Sequence, residues 1–151
     1  MSDPLADHRP IVAGTDGSGS ASKAVAEAAR LAVALGAELH LVYAFEPLVG
    51  AHISGAPTAA AAIWQPLPDH EVDAVLGSAA VSVKQDALVV KTHSSEGSPA
   101  EALIKVADAV DAQMIVVGSR GMHGVRRFVQ SSVPNAVSHS AHRNVLIVAT
   151  D

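Results

Sequence analysis

Short apolar runs and helix-periodic segments take turns along this chain, and that alternation is the strongest constraint on its fold. Residues 11–15, Ile-Val-Ala-Gly-Thr, stop at Asp16-Gly17-Ser18-Gly19-Ser20, a cluster of turn and cap residues, and read as a strand followed by a loop. From Ala21 to Leu35 the apolar residues recur at helical spacing, with Val25, Ala29, Ala32 and Val33 on one side and Lys23, Glu27 and Arg30 towards the other. Gly36 supplies the carboxyl-terminal cap. Residues 39–45 form a second strand, apolar on both faces as in a parallel sheet covered on both sides. Gly and Pro at 47, 50, 55 and 57 and alanines at 59–62 make 46–66 a long loop.

The second half repeats the pattern. Residues 69–84 read as a helix with Val72, Val75, Leu76 and Ala79 facing in, and 87–92 as the third strand. Ser98-Pro99-Ala100-Glu101 opens a helix running to about Val110, because Ser98 and Glu101 have the spacing of a capping box and Pro suits a first turn. A fourth strand at 114–117, a helix at roughly 132–141 and a fifth strand at 145–149 complete the chain. Strands alternating with helices predict an α/β fold: one open, parallel, five-stranded sheet with helices on both faces, ligands binding outside the strands' carboxyl ends.

Length and composition narrow the function. With 151 residues one domain is expected, spanning 11–151 behind a flexible segment 1–10. Acidic residues outnumber basic ones 15 to 10, for a net charge of −5, and 3% of residues are aromatic; no nucleic-acid partner is expected from such a surface. Zero cysteines exclude disulfides, thiolate metal sites and cysteine nucleophiles. The opening Met-Ser-Asp-Pro-Leu-Ala-Asp-His-Arg-Pro has no apolar core, so it is not a secretory signal, and no later run reaches the ~18 apolar residues of a membrane span. A cytoplasmic protein without a membrane partner is expected.

Two strands end in glycine-containing loops. The first, Gly14-Thr15-Asp16-Gly17-Ser18-Gly19-Ser20, has two glycines at P-loop spacing, but Ser20-Ala21 replaces the Lys-Ser/Thr that would follow, and Ser22 stands where a dinucleotide fingerprint needs its third glycine. Asp16 sits at the strand's carboxyl end, where a carboxylate accepts from ribose hydroxyls or holds a hydrated magnesium ion. The second loop, Gly118-Ser119-Arg120-Gly121-Met122-His123-Gly124, exposes backbone amides to an anion. Ser131-Ser132-Val133 then opens a helix whose amino-terminal amides form a second anion cradle.

Gly-Thr-Asp-Gly-Ser at 14–18, Gly97-Ser98-Pro99-Ala100-Glu101 and Ile115-Val116-Val117-Gly118-Ser119-Arg120-Gly121 together resemble the universal stress protein family over the whole chain. Its nucleotide-binding members carry Gly, two residues, Gly, nine residues, Gly, then Ser or Thr. Gly118, Gly121 and Ser132 match, whereas Ser131 replaces the last glycine. The resemblance implies a sheet order of 3-2-1-4-5 and an adenine nucleotide (ATP, AMP or cyclic AMP) bound for a stress response or signalling. It places Gly14, Thr15 and Asp16 near the nucleoside, Val42 and Val117 beside the adenine, and Gly118, Ser119, Arg120, Gly121, Ser131, Ser132 and Val133 on the phosphates. ATP, assisted by magnesium through Asp16 and water, heads that list. The same resemblance points to a homodimer through the apolar edge strand Val145–Ala149.

The remaining features are read more plainly. His139 and His142 lack a carboxylate at ligand spacing and are taken as surface histidines. His123 is either a phosphate donor or solvated, and Trp64 either lids a ligand or, the plainer reading, anchors its loop onto the sheet. No Gly-x-Ser-x-Gly elbow activates a serine. A binding protein without catalytic residues is therefore expected; the alternatives are an interaction module that binds no nucleotide, in view of Ser131, and a nucleotide-hydrolysing enzyme.

Overall fold

A strand covered on both faces must be apolar at successive positions, and Ile11, Val12 and Ala13 are all fully buried. The computed structural model describes residues 6–45, 69–119 and 133–150. Its elements are β1 (Ile11–Gly14), α1 (Gly19–Leu35), β2 (Leu39–Phe45), α2 (Asp69–Ser82), β3 (Val90–Glu96), α3 (Pro99–Ala109), β4 (Met114–Gly118), α4 (Val133–Ser140) and β5 (Asn144–Val148). All four strand pairings are parallel, and the order is β3-β2-β1-β4-β5 as expected.

Alternation along each strand divides the core in two. Ile11, Ala13, Leu39, Leu41 and Val116 face α1 and α2, meeting Val25, Ala28, Ala29 and Ala32 of α1 and Val72 and Leu76 of α2. Val12, Val42, Ile115 and Val117 face the other way, towards Ala102, Leu103, Val106 and Ala107 of α3 and Val137 of α4. Burying a Leu, Ile or Val side chain contributes about 1.5–3 kcal/mol, so these two layers carry the stability.

The helix ends follow the expected cap chemistry. Ser18 accepts from the Ala21 amide at 3.1 Å, so α1 starts two residues before its apolar periodicity does, and Gly36 closes it with φ of 63°. Ser98 and Glu101 form the capping box, Glu101 accepting from the Ser98 amide at 3.1 Å. At the end of α2, Val83 and Lys84 bond to carbonyls three residues back, which stops the helix at Ser82 instead of 84.

The third strand departs from the sequence expectation. It runs from Val90 to Glu96, not 87–92, through Lys91-Thr92-His93-Ser94-Ser95. As an edge strand β3 is held by its seven-residue register with β2, Leu39↔Val90 to Phe45↔Glu96, and solvent on its far side removes the need for an apolar sequence. Before β1, Gln113 donates to the carbonyls of Asp7 and Arg9 at 2.8 and 2.6 Å, and His8 Nδ1 donates to the Leu35 carbonyl at 2.7 Å. The 46–66 loop falls outside the described residues.

Candidate functional site

The chain leaves β1 for α1 on one face, whereas α4, which follows β4, packs on the other, so the carboxyl ends of these adjacent strands diverge. A cleft opens there, enclosing about 580 Å³ of space with the water at its mouth included. Gly14, Thr15, Asp16, Ser18 and Ala21 line it from β1 and the start of α1, Val42 and Ala44 from β2, Pro99 and Leu103 from α3, Val117 and Gly118 from β4, and Val133 from α4.

The polar rim is built by successive short-range bonds. Thr15, only 7% exposed, continues the sheet by donating its amide to the Val42 carbonyl at 2.9 Å, while its hydroxyl accepts from the Gly17 amide at 3.3 Å. Asp16 Oδ1 accepts from the Ser18 amide at 2.9 Å; no hydrogen bond is formed by Oδ2 among the described residues. Gly17 turns the chain with φ of 81°, a conformation in which a side chain would be strained. Opposite this rim, Val42, Ala44, Leu103 and Val117 make an apolar wall, and Asp16 is the only carboxylate among the described lining residues.

Two glycines admit close packing around the cleft. A Cβ on Gly14 would lie 3.3 Å from both methyls of Leu103. One on Gly118 would lie 3.1 Å from the Thr150 methyl, 3.2 Å from Ser20 Oγ and 3.4 Å from the Ser20 carbonyl oxygen. Around Thr150 the hydroxyls of Ser20 and Ser119 come within 2.9 and 3.2 Å of its Oγ1. On the far face of β2 from Val42, the Tyr43 phenol is pushed above its ordinary range by burial, then by the charges of Asp16 and Glu71, and stays protonated at neutral pH.

Of the residues expected at the site, Gly14, Thr15, Asp16, Val42, Val117, Gly118 and Val133 meet in the cleft. Ser119 is placed beside it: its amide bonds the Val148 carbonyl at 2.8 Å and its hydroxyl accepts from the Thr150 amide at 3.2 Å. Arg120, Gly121, Ser131 and Ser132 lie outside the described residues, as do His123 and Trp64. The sequence reading missed Ser18, Ala21, Ala44, Pro99 and Leu103. Strand alternation from Val42 reaches Ala44, and helical i, i+4 spacing joins Pro99 to Leu103, but both signals need the knowledge that α3 covers this face. His139 and His142 are exposed, and no metal-binding group of three His, Cys, Asp or Glu occurs among the described residues. No described helix is long and apolar enough to cross a membrane.

The sequence pattern of the Universal stress protein family matches residues 8–149. A universal stress protein of Mycobacterium tuberculosis is 32% identical over 156 aligned positions, covering 97% of this chain and 99% of the relative. One from Methanocaldococcus jannaschii is 27% identical, covering 93% and 82%. Among solved structures, a universal stress protein in complex with cAMP superposes with a TM-score of 0.73 at 29% identity, covering 95% of this chain and 98% of the other.

Proposed function

This chain belongs to the universal stress protein family, and from that premise we propose that it binds an adenine nucleotide in the β1–β4 cleft and acts by binding, not by turnover. The observation that carries this reading is the convergence of Gly14, Thr15, Asp16, Val42, Val117, Gly118 and Val133 on one cleft with an apolar wall and a polar rim. The wall suits a flat purine, and the rim offers Asp16 Oδ2 to ribose hydroxyls or, through water, to a magnesium ion on ATP. Val133, in the first turn of α4, lines the cleft where a phosphate would meet helix amides. The similarity to a cAMP-bound structure supports the same ligand class. Among the described residues the cleft is lined by a single carboxylate, Asp16, which this reading assigns to ribose or magnesium and not to a base for phosphoryl transfer. A stress response carried out in the cytoplasm completes the reading.

Calorimetry with ATP, ADP, AMP and cyclic AMP tests it, together with mass spectrometry of small molecules released from the denatured protein. Saturable binding of at least one of the four is expected; no heat from any of them at millimolar concentration refutes the reading and favours an interaction module. Because Ser131 replaces the family's glycine, Ser131→Gly is expected to strengthen ATP binding by about 1–3 kcal/mol if the serine strains its backbone. Equal or weaker ATP binding by the variant would show that the serine is accommodated.

We also propose a homodimer through β5. Ile147 on this edge strand is 47% exposed, and residues 145–149 carry no lysine, proline or other residue that blunts an edge. The other edge, β3, carries Lys91, ion-paired with Glu38 at 3.0 Å. Antiparallel pairing of two β5 strands about a two-fold axis satisfies both rows of backbone groups. Sedimentation at tens of micromolar should give a dimer, and Ile147→Pro should give monomers or insoluble protein; a monomeric unmodified protein refutes the interface.

A further inference from the structure

Two histidines 53 residues apart meet on the α3 face of the sheet, immediately behind the cleft. His40 of β2 is 4% exposed, and its Nδ1 lies 2.8 Å from Nε2 of His93 on β3. The rings are nearly parallel, 14° apart, with centroids separated by 5.0 Å. On its other side His40 Nε2 lies 3.2 Å from Glu38 Oε2, and Lys91 Nζ bonds the same oxygen at 3.0 Å. His93 is the cross-strand partner of Val42, a lining residue of the cleft. Beyond His93 the chain passes through Gly97 into α3, which brings Pro99 and Leu103 to the cleft.

The donor and acceptor inventory sets the protons in this chain. The Glu38 carboxylate is held below its ordinary range by Lys91 first and His40 second, so it only accepts, and His40 Nε2 must donate to it. A neutral His40 then has a lone pair on Nδ1, which accepts from His93 Nε2–H. A proton added to the free Nδ1 of His93 leaves the chain of bonds intact. A further proton on His40 Nδ1 does not, because two N–H groups then confront each other at 2.8 Å and the imidazoles must separate.

We propose that Glu38, His40 and His93 form a proton-sensitive latch that couples pH to occupancy of the cleft: one proton between the imidazoles holds β3 against β2, and charging both rings releases it. The coupling rests on the nucleotide reading above; the latch itself does not. The charged groups facing the pair among the described residues are Glu38, immediately before β2, and Lys91 from β3. The sheet-facing residues of α3, Ala102, Leu103, Val106 and Ala107, bring no ionisable group, and its Glu101, Lys105 and Asp108 are exposed. Among the described residues, therefore, no carboxylate other than Glu38 meets a second charge.

His93 is held below the ordinary imidazole range by burial, then by His40 and Lys91. The folded protein thus binds fewer protons at His93 than the unfolded chain does, and this contribution to stability is present above about pH 6.5 and lost as pH falls through the lowered folded value. His93→Gln keeps a side-chain N–H donor and removes the titration.

The test compares urea unfolding and AMP affinity of the wild-type protein and H93Q between pH 7.5 and 5.5, with amide exchange of β3 followed in the wild type. The expected result is a loss of stability on acidification that is smaller in H93Q, faster exchange of Thr92–Ser94 at the acidic end, and AMP affinity falling by about 5-fold or more in the wild type alone. Parallel stability profiles for the two proteins, or β3 exchange that does not respond to pH, overturn the latch whether or not the cleft binds nucleotide. A pH-dependent latch with constant AMP affinity overturns only the coupling, and absence of AMP binding at pH 7.5 overturns the coupling while stability and exchange still decide the latch. If H93Q fails to fold, imidazole nitrogen NMR of the wild type at pH 7.5 decides: a neutral His40 that carries its proton on Nδ1 instead of Nε2 overturns the shared-proton arrangement.

Discussion

Gly118→Val is expected to weaken adenine-nucleotide binding by about 100-fold or more and to destabilise the fold by about 1–3 kcal/mol, the range for overpacking a filled site. The first added carbon already lies at 3.1 Å from the Thr150 methyl and 3.4 Å from the Ser20 carbonyl oxygen. The Thr150 side chain is tied to Ser20 and Ser119, and Ser20 belongs to the first turn of α1, so these neighbours can give by a few tenths of an ångström but not by the width of a further methyl without moving a helix or breaking those bonds. The remaining two methyls then compete for space in the cleft that Gly118 lines. Gly118→Ala is the graded control, because the Thr150 methyl need only shift by a few tenths of an ångström. Calorimetry beside urea unfolding separates the two effects: valine at 118 with unchanged affinity would place the ligand elsewhere.

Ile115→Ala should cost about 2–5 kcal/mol. Ile115 is fully buried on β4, between β1 and β5, in the layer formed with α3 and α4. Removing three carbons there forfeits transfer free energy and leaves a cavity, since flanking strands held by parallel ladders cannot close in. Against a typical total of about 5–15 kcal/mol this is a large fraction. Val81→Ala removes carbons from a side chain 73% exposed and should stay within about 0.5 kcal/mol. Urea midpoints at constant slope give both numbers, and a loss below about 1 kcal/mol for Ile115→Ala would contradict the packing described.

Most of the architecture was legible because its signals are local. The apolar run Ile11–Ala13, the helical spacing of α1 and the Ser98–Glu101 box each depend on neighbours within a few residues, and each appears in the structure, α1 with two further residues at its start. The largest exception is the third strand. Strand β3 owes its position to pairing with β2 and not to its own apolar content, so 87–92 looked more strand-like than the Val90–Glu96 stretch that forms the ladder.

The site divides along the same line. Gly14, Thr15, Asp16 and Gly118 end strands, and a strand's carboxyl end in an α/β alternation is visible from the sequence alone. That Leu103 lies over Gly14, that Ser119 bonds Thr150 beside the cleft, and that His40 reaches His93 were decided by tertiary structure. Local order along the chain is set by short-range sterics and periodicity, which each segment carries within itself. Which segments meet is set by sheet order and helix packing, and these bring together residues 31, 53 or 89 positions apart that no single window of sequence contains.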